Sequence, residues 1–305
     1  MASLFLQSEK LGLAPYSPSM KTVPIRKIKT PQFELNVTGS FSIRRVSDVL
    51  GGKDMFHALH RHDFFFMLAL QKGEGRHEID FEKYAVEDHS IFFLRPGQVH
   101  QLELKADSTG YLMEFDAPFY QPFNNTSRQR WRRATNTNSC KLEAARFEKL
   151  NSILSNIYQE YMAKQEGYIE VIKANLEIFF IEFLRQSQNP SQPEKGSAYA
   201  LSRLDDFMEL LETKLADLKQ VSQYATLLNL STYQLNAITK STIDKTASEL
   251  INEQIILEAK RFLLATTNQV KDIADHLGYE DISYFIRFFK KQTGHSPEAF
   301  RKISR

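Results

Sequence analysis

One cysteine, Cys140, stands in a chain of 305 residues, which excludes an intramolecular disulfide and any CxxC metal or redox motif. Nowhere does the sequence reach the run of about 18 consecutive apolar residues that a helix needs to cross a bilayer, so no membrane partner is expected. Its first residues, MASLFLQSEKLGLAPYSPSMK, have neither the basic start nor the long apolar stretch of a secretion signal, and a cytoplasmic protein is expected. An excess of one charge is missing as well. The formal net charge is +2, and residues 201–305 hold 14 Lys or Arg against 14 Asp or Glu, so bulk charge does not mark a nucleic-acid binder. No Ser/His/Asp grouping and no phosphate-binding loop is found; an enzyme is not expected.

What is present is 42% hydrophobic and 25% charged residues, enough for two domains with real cores. The first half reads as β structure. FFFMLAL (64–70), HEIDFEKYAVE (77–87), SIFFLRPGQVHQLEL (90–104) and GYLMEFD (110–116) are short, rich in Phe and β-branched residues, and separated by turn residues, a spacing that predicts a small barrel or sandwich of about eight strands. From Leu142 the apolar period lengthens. Phe147, Leu150, Leu154, Ile157 and Tyr161, then Ile169, Ile172, Leu176, Phe179, Phe180 and Phe183, predict two amphipathic helices. SQNPSQPEKGSAYA (187–200) breaks the pattern and reads as a linker, after which everything is helical. The boundaries expected are 1–188, a linker at 189–200, and 201–305.

The helical part contains a duplication. YATLLNLSTYQLNAITKSTIDKTASEL (224–250) aligns with IADHLGYEDISYFIRFFKKQTGHSPEAF (273–300): Ser231 with Asp281 as helix caps, Leu235 with Phe285, Ile238 with Phe288, Lys240 with Lys290. In each copy a short helix ends at a residue tolerant of the left-handed conformation, Asn229 or Gly278, and a capped second helix follows. Ser231 with Gln234 forms a capping-box pattern. This is helix-turn-helix grammar, with units at about 221–242 and 270–292 joined by a long amphipathic helix at 247–267. In the second unit Tyr284, Phe285, Phe288 and Phe289 recur at i, i+1, i+4 and i+5, an apolar stripe expected to anchor the helix while Arg287 and Lys290 are presented. Residues 286–305 add a local basic excess: Arg287, Lys290, Lys291, Arg301, Lys302 and Arg305 against Glu298.

Those residues, and above all EAKRFLL (258–264), IADHLGY (273–279) and SYFIRFFKKQTGHSPEAFR (283–301), resemble the AraC/XylS family of bacterial transcription regulators over the last hundred or so residues. The resemblance implies double-stranded DNA as partner. It places Tyr233, Asn236 and Ala237 of the first recognition helix and Ile282, Ser283, Ile286 and Arg287 of the second toward bases, with Lys240 and Lys290 nearer phosphate. Arg287 either pairs bidentately with a guanine edge or clamps a phosphate; Asn236 either pairs with adenine or is solvated; Ile282 and Ile286 either meet thymine methyls or pack on a neighbouring helix. Two residues depart from the family pattern: Asp244 stands where Gly is usual, and Thr239 where an aromatic is. They mark the first unit as the less regular.

HALHRHDFFFMLALQKGEGRHEID with IFFLRPGQVHQLEL resembles the cupin-like sensor domain that precedes the DNA-binding region in many members of that family. His60 and His62 fit the HxH spacing of a metal-binding cupin, and His100 fits its second motif loosely. The Glu ligand expected after His62 is missing, so the three are read as pocket-lining histidines, with no metal and no cofactor expected. The resemblance implies a small-molecule effector in the barrel, RNA polymerase as a further partner, and a homodimer in which the helices at 142–186 either form the contact or merely cover the barrel. The fold class expected is therefore α+β: a cupin-like β-barrel with a helical pair, then an all-α domain with two helix-turn-helix motifs, acting as a ligand-responsive transcription regulator, activator or repressor being left open. The rival reading is a cupin-type metalloenzyme with a helical appendage.

Overall fold

In a computed structural model of the chain, the described residues are 25–26, 39–187 and 196–304. The first part alternates short strands and turns: β1 (Ile25–Arg26), β2 (Phe41–Arg45), α1 (Val46–Leu50), β3 (Met55–His62), β4 (Phe65–Lys72), β5 (Gly75–Ile79) and β6 (Glu82–Val86). Then follow β7 (Ser90–Leu94), β8 (Val99–Leu104), β9 (Thr109–Phe115), α2 (Asn125–Thr135) and β10 (Ser139–Lys141). The strands form two sheets, ordered β1-β3-β8-β5-β6 and β10-β7-β4-β9-β2, antiparallel except for the β1–β3 pair. Among the described residues there are ten strands where sequence spacing suggested about eight. HEIDFEKYAVE is a hairpin, β5 and β6, that turns at Asp80 and Phe81, both with positive φ.

Strands β4 and β7 are apolar at nearly every position because both of their faces are covered. Phe66, Leu68, Leu70, Phe92 and Leu94 meet Ile79, Leu102 and Leu104 between the sheets. Met67, Ala69, Ile91 and Phe93, pointing the other way, meet two long helices, α3 (Ala144–Ala163) and α4 (Tyr168–Ser187), through Phe147, Leu150, Phe179, Phe180 and Phe183. The two helices that periodicity predicted are thus an outer layer on one sheet.

The second part is helical: α5 (Ala198–Lys214), α6 (Val221–Leu227), α7 (Thr232–Ile243), α8 (Ala247–Ala265), α9 (Val270–His276), α10 (Ile282–Thr293) and α11 (Pro297–Ile303). Helix α5 starts at Ala198, inside the stretch read as linker, where Ser197 caps it; residues 189–195 of that stretch lie outside the described residues. Two cores share one long helix. Leu250, Ile251 and Ile255 of α8 close a core with α5, α6 and α7, while Ile256, Ala259 and Leu263 close another with α9 and α10. At about 1.5 Å per residue α8 is roughly 28 Å long, so it holds the two units as a spacer.

The helix ends follow the expected chemistry. Ser231 and Gln234 form a reciprocal capping box at α7 (3.1 and 2.8 Å), and Asp281 accepts from the backbone N–H groups of Ser283 and Tyr284 at α10 (2.7 and 3.2 Å). Asn229 and Gly278 both take the left-handed conformation, as do Asp244 and Gly294, so the residue that departs from the family's Gly still makes the same turn. At Gly278 a Cβ would stand 1.8 Å from the Ala216 carbonyl oxygen, so close approach as well as backbone conformation requires glycine there.

Candidate nucleic-acid interface and ligand pocket

The two recognition helices present side chains of unequal freedom. In α10, Phe285 and Phe289 are fully buried and Phe288 packs partly, but Tyr284 is 55% exposed, so the aromatic stripe is narrower than spacing predicted. Tyr284 lies near-parallel to Tyr279 at 6.0 Å between ring centres. Ser283, Arg287 and Lys290 are exposed, and the Arg287 guanidinium, 70% exposed, stands 4.0 Å from the Asp281 carboxylate. Ile282 and Ile286 are half-buried against the α8–α9 core, with one edge each left outside.

In α7, Tyr233, Ala237 and Lys240 are exposed, Tyr233 at 81%. Asn236 is half-buried. Its Nδ2 donates to the Thr232 carbonyl at 3.0 Å and its Oδ1 accepts from the Ala247 N–H at 3.0 Å, so the amide ties α7 to the first turn of α8 and keeps one N–H and one lone pair. Thr239, in the aromatic's place, is fully buried and donates to the Asn236 carbonyl at 3.2 Å. The local basic excess also shrinks. Arg301 is buried, donating to the carbonyls of Leu263 (3.0 Å) and Asn268 (2.6 Å) at the C-terminal end of α8. Arg287, Lys290, Lys291 and Lys302 remain exposed, and Arg305 lies outside the described residues.

Inside the β sandwich the three expected histidines come together. β3 and β8 pair with His60 opposite His100, and His62 lies one inward position further along β3. His62 Nε2 and His100 Nε2 are 2.7 Å apart, and the ring centres of His60 and His100 are 4.1 Å apart. A fourth member was missed from the sequence: His77, on β5 beside β8, whose Nε2 is 2.9 Å from His100 Nδ1. Alternation puts His77 and Ile79 on one face, but that this face meets His100 depends on β5 pairing with β8, which local pattern does not show. Burial holds His77 neutral with its pKa pushed down to about 3, and burial reinforced by the neighbouring imidazoles takes His100 well below the usual histidine range. Next to the cluster lies a cavity of about 250 Å³ lined by His57, His60, His62, Phe64 and Phe66 on one side and Ser42, Leu112, Arg44 and Glu114 on the other. Arg44 and Glu114 form an ion pair at 3.0 Å.

The β part and the helical part touch through α8. Arg261 donates from Nε and Nη2 to the two Asp80 carboxylate oxygens (2.9 and 2.5 Å) and from Nη1 to Glu258 (2.5 Å). Both side chains of the Asp80–Arg261 pair are over 90% buried. Burial pulls the Arg261 pKa down, but Asp80 and Glu258 more than reverse this and hold the guanidinium charged. Asp80 also accepts from the Val99 N–H, one residue from His100. Around the pair, Val99 meets Leu264 and Ala265, and the Phe81 ring stands 5.9 Å from that of Phe300. A second contact joins Arg132 of α2 to Glu212 of α5 (2.9 Å).

Residues 51–174 match a family model described as an AraC-like ligand binding domain, and residues 224–303 match one described as a helix-turn-helix domain. The transcriptional activator RhaR of Mannheimia succiniciproducens is 21% identical over 252 residues, covering 80% of this chain and 86% of that protein. The transcriptional activator RhaS of Escherichia coli O157:H7 is 24% identical over 258 residues, covering 80% and 87%. Among solved structures, ToxT from Vibrio cholerae O395 is 13% identical, covers 87% of this chain and 97% of that one, and superposes with a TM-score of 0.40.

Proposed function

We infer, for a chain that belongs to the AraC/XylS family of transcription regulators, an activator that binds double-stranded DNA through both helix-turn-helix units and responds to a small molecule held in the N-terminal sandwich. The observation that carries this reading is the pair of capped recognition helices, each anchored by buried residues and each offering exposed side chains, on either end of one rigid helix. Arg287 is the base reader of α10, with Ser283 and the outer edges of Ile282 and Ile286 beside it; Tyr233 and Ala237 face bases from α7, and Lys240 and Lys290 face phosphates. Asn236, braced against α8, turns its remaining N–H and lone pair to an adenine edge.

The cavity beside His60 and His62 is the effector site. At about 250 Å³ it suits a small ligand, and Arg44, Glu114 and Ser42 give that ligand polar partners. No helix among the described residues is long and apolar enough to cross a membrane, and we place the protein in the cytoplasm, where its DNA and RNA polymerase are. A homodimer is supported by Val171, Ala174 and Ile178, which leave an exposed apolar line on α4 after its other face has covered the sheet. The chain divides functionally into a sensor at 1–188 and a DNA-binding part at 201–305 joined near residue 190. The named relatives are transcription regulators, which sets the metalloenzyme reading aside.

The fragment 198–305 tests the assignment, because its two cores are built from residues of the helical part alone. It is expected to fold as a monomer and to bind the sites of the full chain more weakly, with affinity falling steeply as salt rises. A folded fragment with no salt-sensitive DNA binding contradicts the assignment.

A further inference from the structure

We propose that Phe81, at the tip of the β5–β6 hairpin, is a positioning residue for α10: it braces the second recognition helix from behind, through Phe300 of α11. The proposal rests on the reading of α10 as a DNA-contacting helix. Ile79 pairs with Glu82, so Asp80 and Phe81 alone connect the two strands, with φ of 49° and 75°. A two-residue turn with φ positive at both places is of type I′, for which Asn-Gly and Asp-Gly are the usual sequences. Asp tolerates the first place, and its carboxylate accepts from the Gln98 amide and the Val99 N–H. Phe occupies the second, where a bulky side chain crowds the backbone and glycine is normal. A hairpin that only had to close would carry glycine there.

What offsets this strain lies outside the sandwich. Among the described residues, both ring contacts of Phe81 are made with the helical part: the Phe300 ring crosses it edge to face at 5.9 Å between centres, and Lys260 Nζ stands 5.4 Å from its centre. The same ammonium is 5.6 Å from the centre of the Phe300 ring, so one cation bridges the two rings. Lys260 precedes Arg261, and the two turn residues thus meet two consecutive residues of α8: Asp80 with Arg261, Phe81 with Lys260. Phe300 is shared between two clusters. On one side it packs with Val99, Leu264 and Ala265 at the junction of the two parts; on the other it closes the core behind α10, its ring 5.8 Å from Phe289, which is 6.1 Å from Phe285. A line of rings therefore runs from the hairpin tip to the buried side of α10, while Arg287 stands on its exposed side. Withdrawing the Phe81 ring takes away one wall of the Phe300 site, and with it part of what fixes α10.

Amide hydrogen exchange on the full chain tests this with Phe81→Gly and Phe81→Ala, both of which remove the ring while only glycine relieves the turn. In both variants the amides of α10 and α11 are expected to exchange roughly tenfold faster than in the wild type. Those of β5 and β6 are expected to exchange about fivefold more slowly in the glycine variant than in the alanine one. Lys260→Met, which leaves the turn intact, is expected to speed α10 and α11 to a smaller extent. Unchanged exchange in α10 and α11, or equal acceleration of hairpin and helices in every variant, the mark of a general loss of stability, overturns the proposal. DNA binding by the same proteins separates the brace from the reading it rests on. A wild type that binds no DNA, with the exchange pattern as expected, removes the DNA reading of α10 and leaves the brace; specific DNA binding with α10 exchange unchanged in the variants removes the brace alone.

Discussion

Asp80→Ala should release the helical part from the sandwich. The buried Arg261 would keep only Glu258 as partner, and removing one member of a buried ion pair costs about 3–5 kcal/mol because the remaining charge is left without compensation. Separation of the two parts lets water hydrate that guanidinium, so the cost falls on docking before it falls on either core. The docking equilibrium should shift by on the order of a hundred- to several thousand-fold. Small-angle scattering should show a larger radius of gyration, and amide exchange should speed up along the face of α8 that carries Arg261, Leu264 and Ala265. Replacing both charges, Asp80→Asn with Arg261→Met, should recover most of the loss, since no charge is then buried and Asn tolerates the positive φ and keeps an acceptor for the Val99 N–H. Asp80 also bonds within its own sheet, to Gln98 and the Val99 N–H, so a double-mutant cycle with Arg261 is needed to isolate the contact between the parts. An Asp80→Ala protein with unchanged dimensions and exchange contradicts this account.

Phe289→Ala should cost about 3–5 kcal/mol, the usual price of emptying a fully buried aromatic site. The ring lies 6.1 Å from Phe285 and 5.8 Å from Phe300, so its loss opens the core that fixes α10 against α8 and α11. Chemical denaturation should show the second helix-turn-helix melting early, and DNA affinity should fall with it although Phe289 faces no DNA. Tyr284→Ala, one turn away and half exposed, should change the midpoint little. Equal effects of the two substitutions would mean that the buried stripe does not hold the helix.

Much of this was legible locally. The helix-turn-helix units were readable because their signals are short-range: a cap, an apolar spacing of three or four, and a turn residue at Asn229 or Gly278. Strands β4 and β7 were readable because burial on both faces leaves unbroken apolar runs. Helix α2 was not, since NTSRQRWRRAT has no apolar stripe; it is held by the Asn124 cap and by Ser127 and Arg130 bonding to Glu177 on α4. That Asn236 also braces the start of α8 was not legible, because sequence gives its place on α7 but not that α8 begins against it. The Asp80–Arg261 pair spans 181 positions, and no local pattern signals a contact of that range. His77 failed for the same reason on a smaller scale: its partner is set by strand order.

Arg287 on α10 is the residue at which sequence reading by this helix can be measured. A site selected from random DNA by the full chain, compared with unrelated DNA at one salt concentration, gives the specificity ratio. Arg287→Ala should weaken binding to the selected site by about 1–3 kcal/mol and relax preference at one base pair while leaving unrelated DNA nearly unaffected, whereas Lys290→Ala should weaken both alike. Equal losses on selected and unrelated DNA for Arg287→Ala would contradict it.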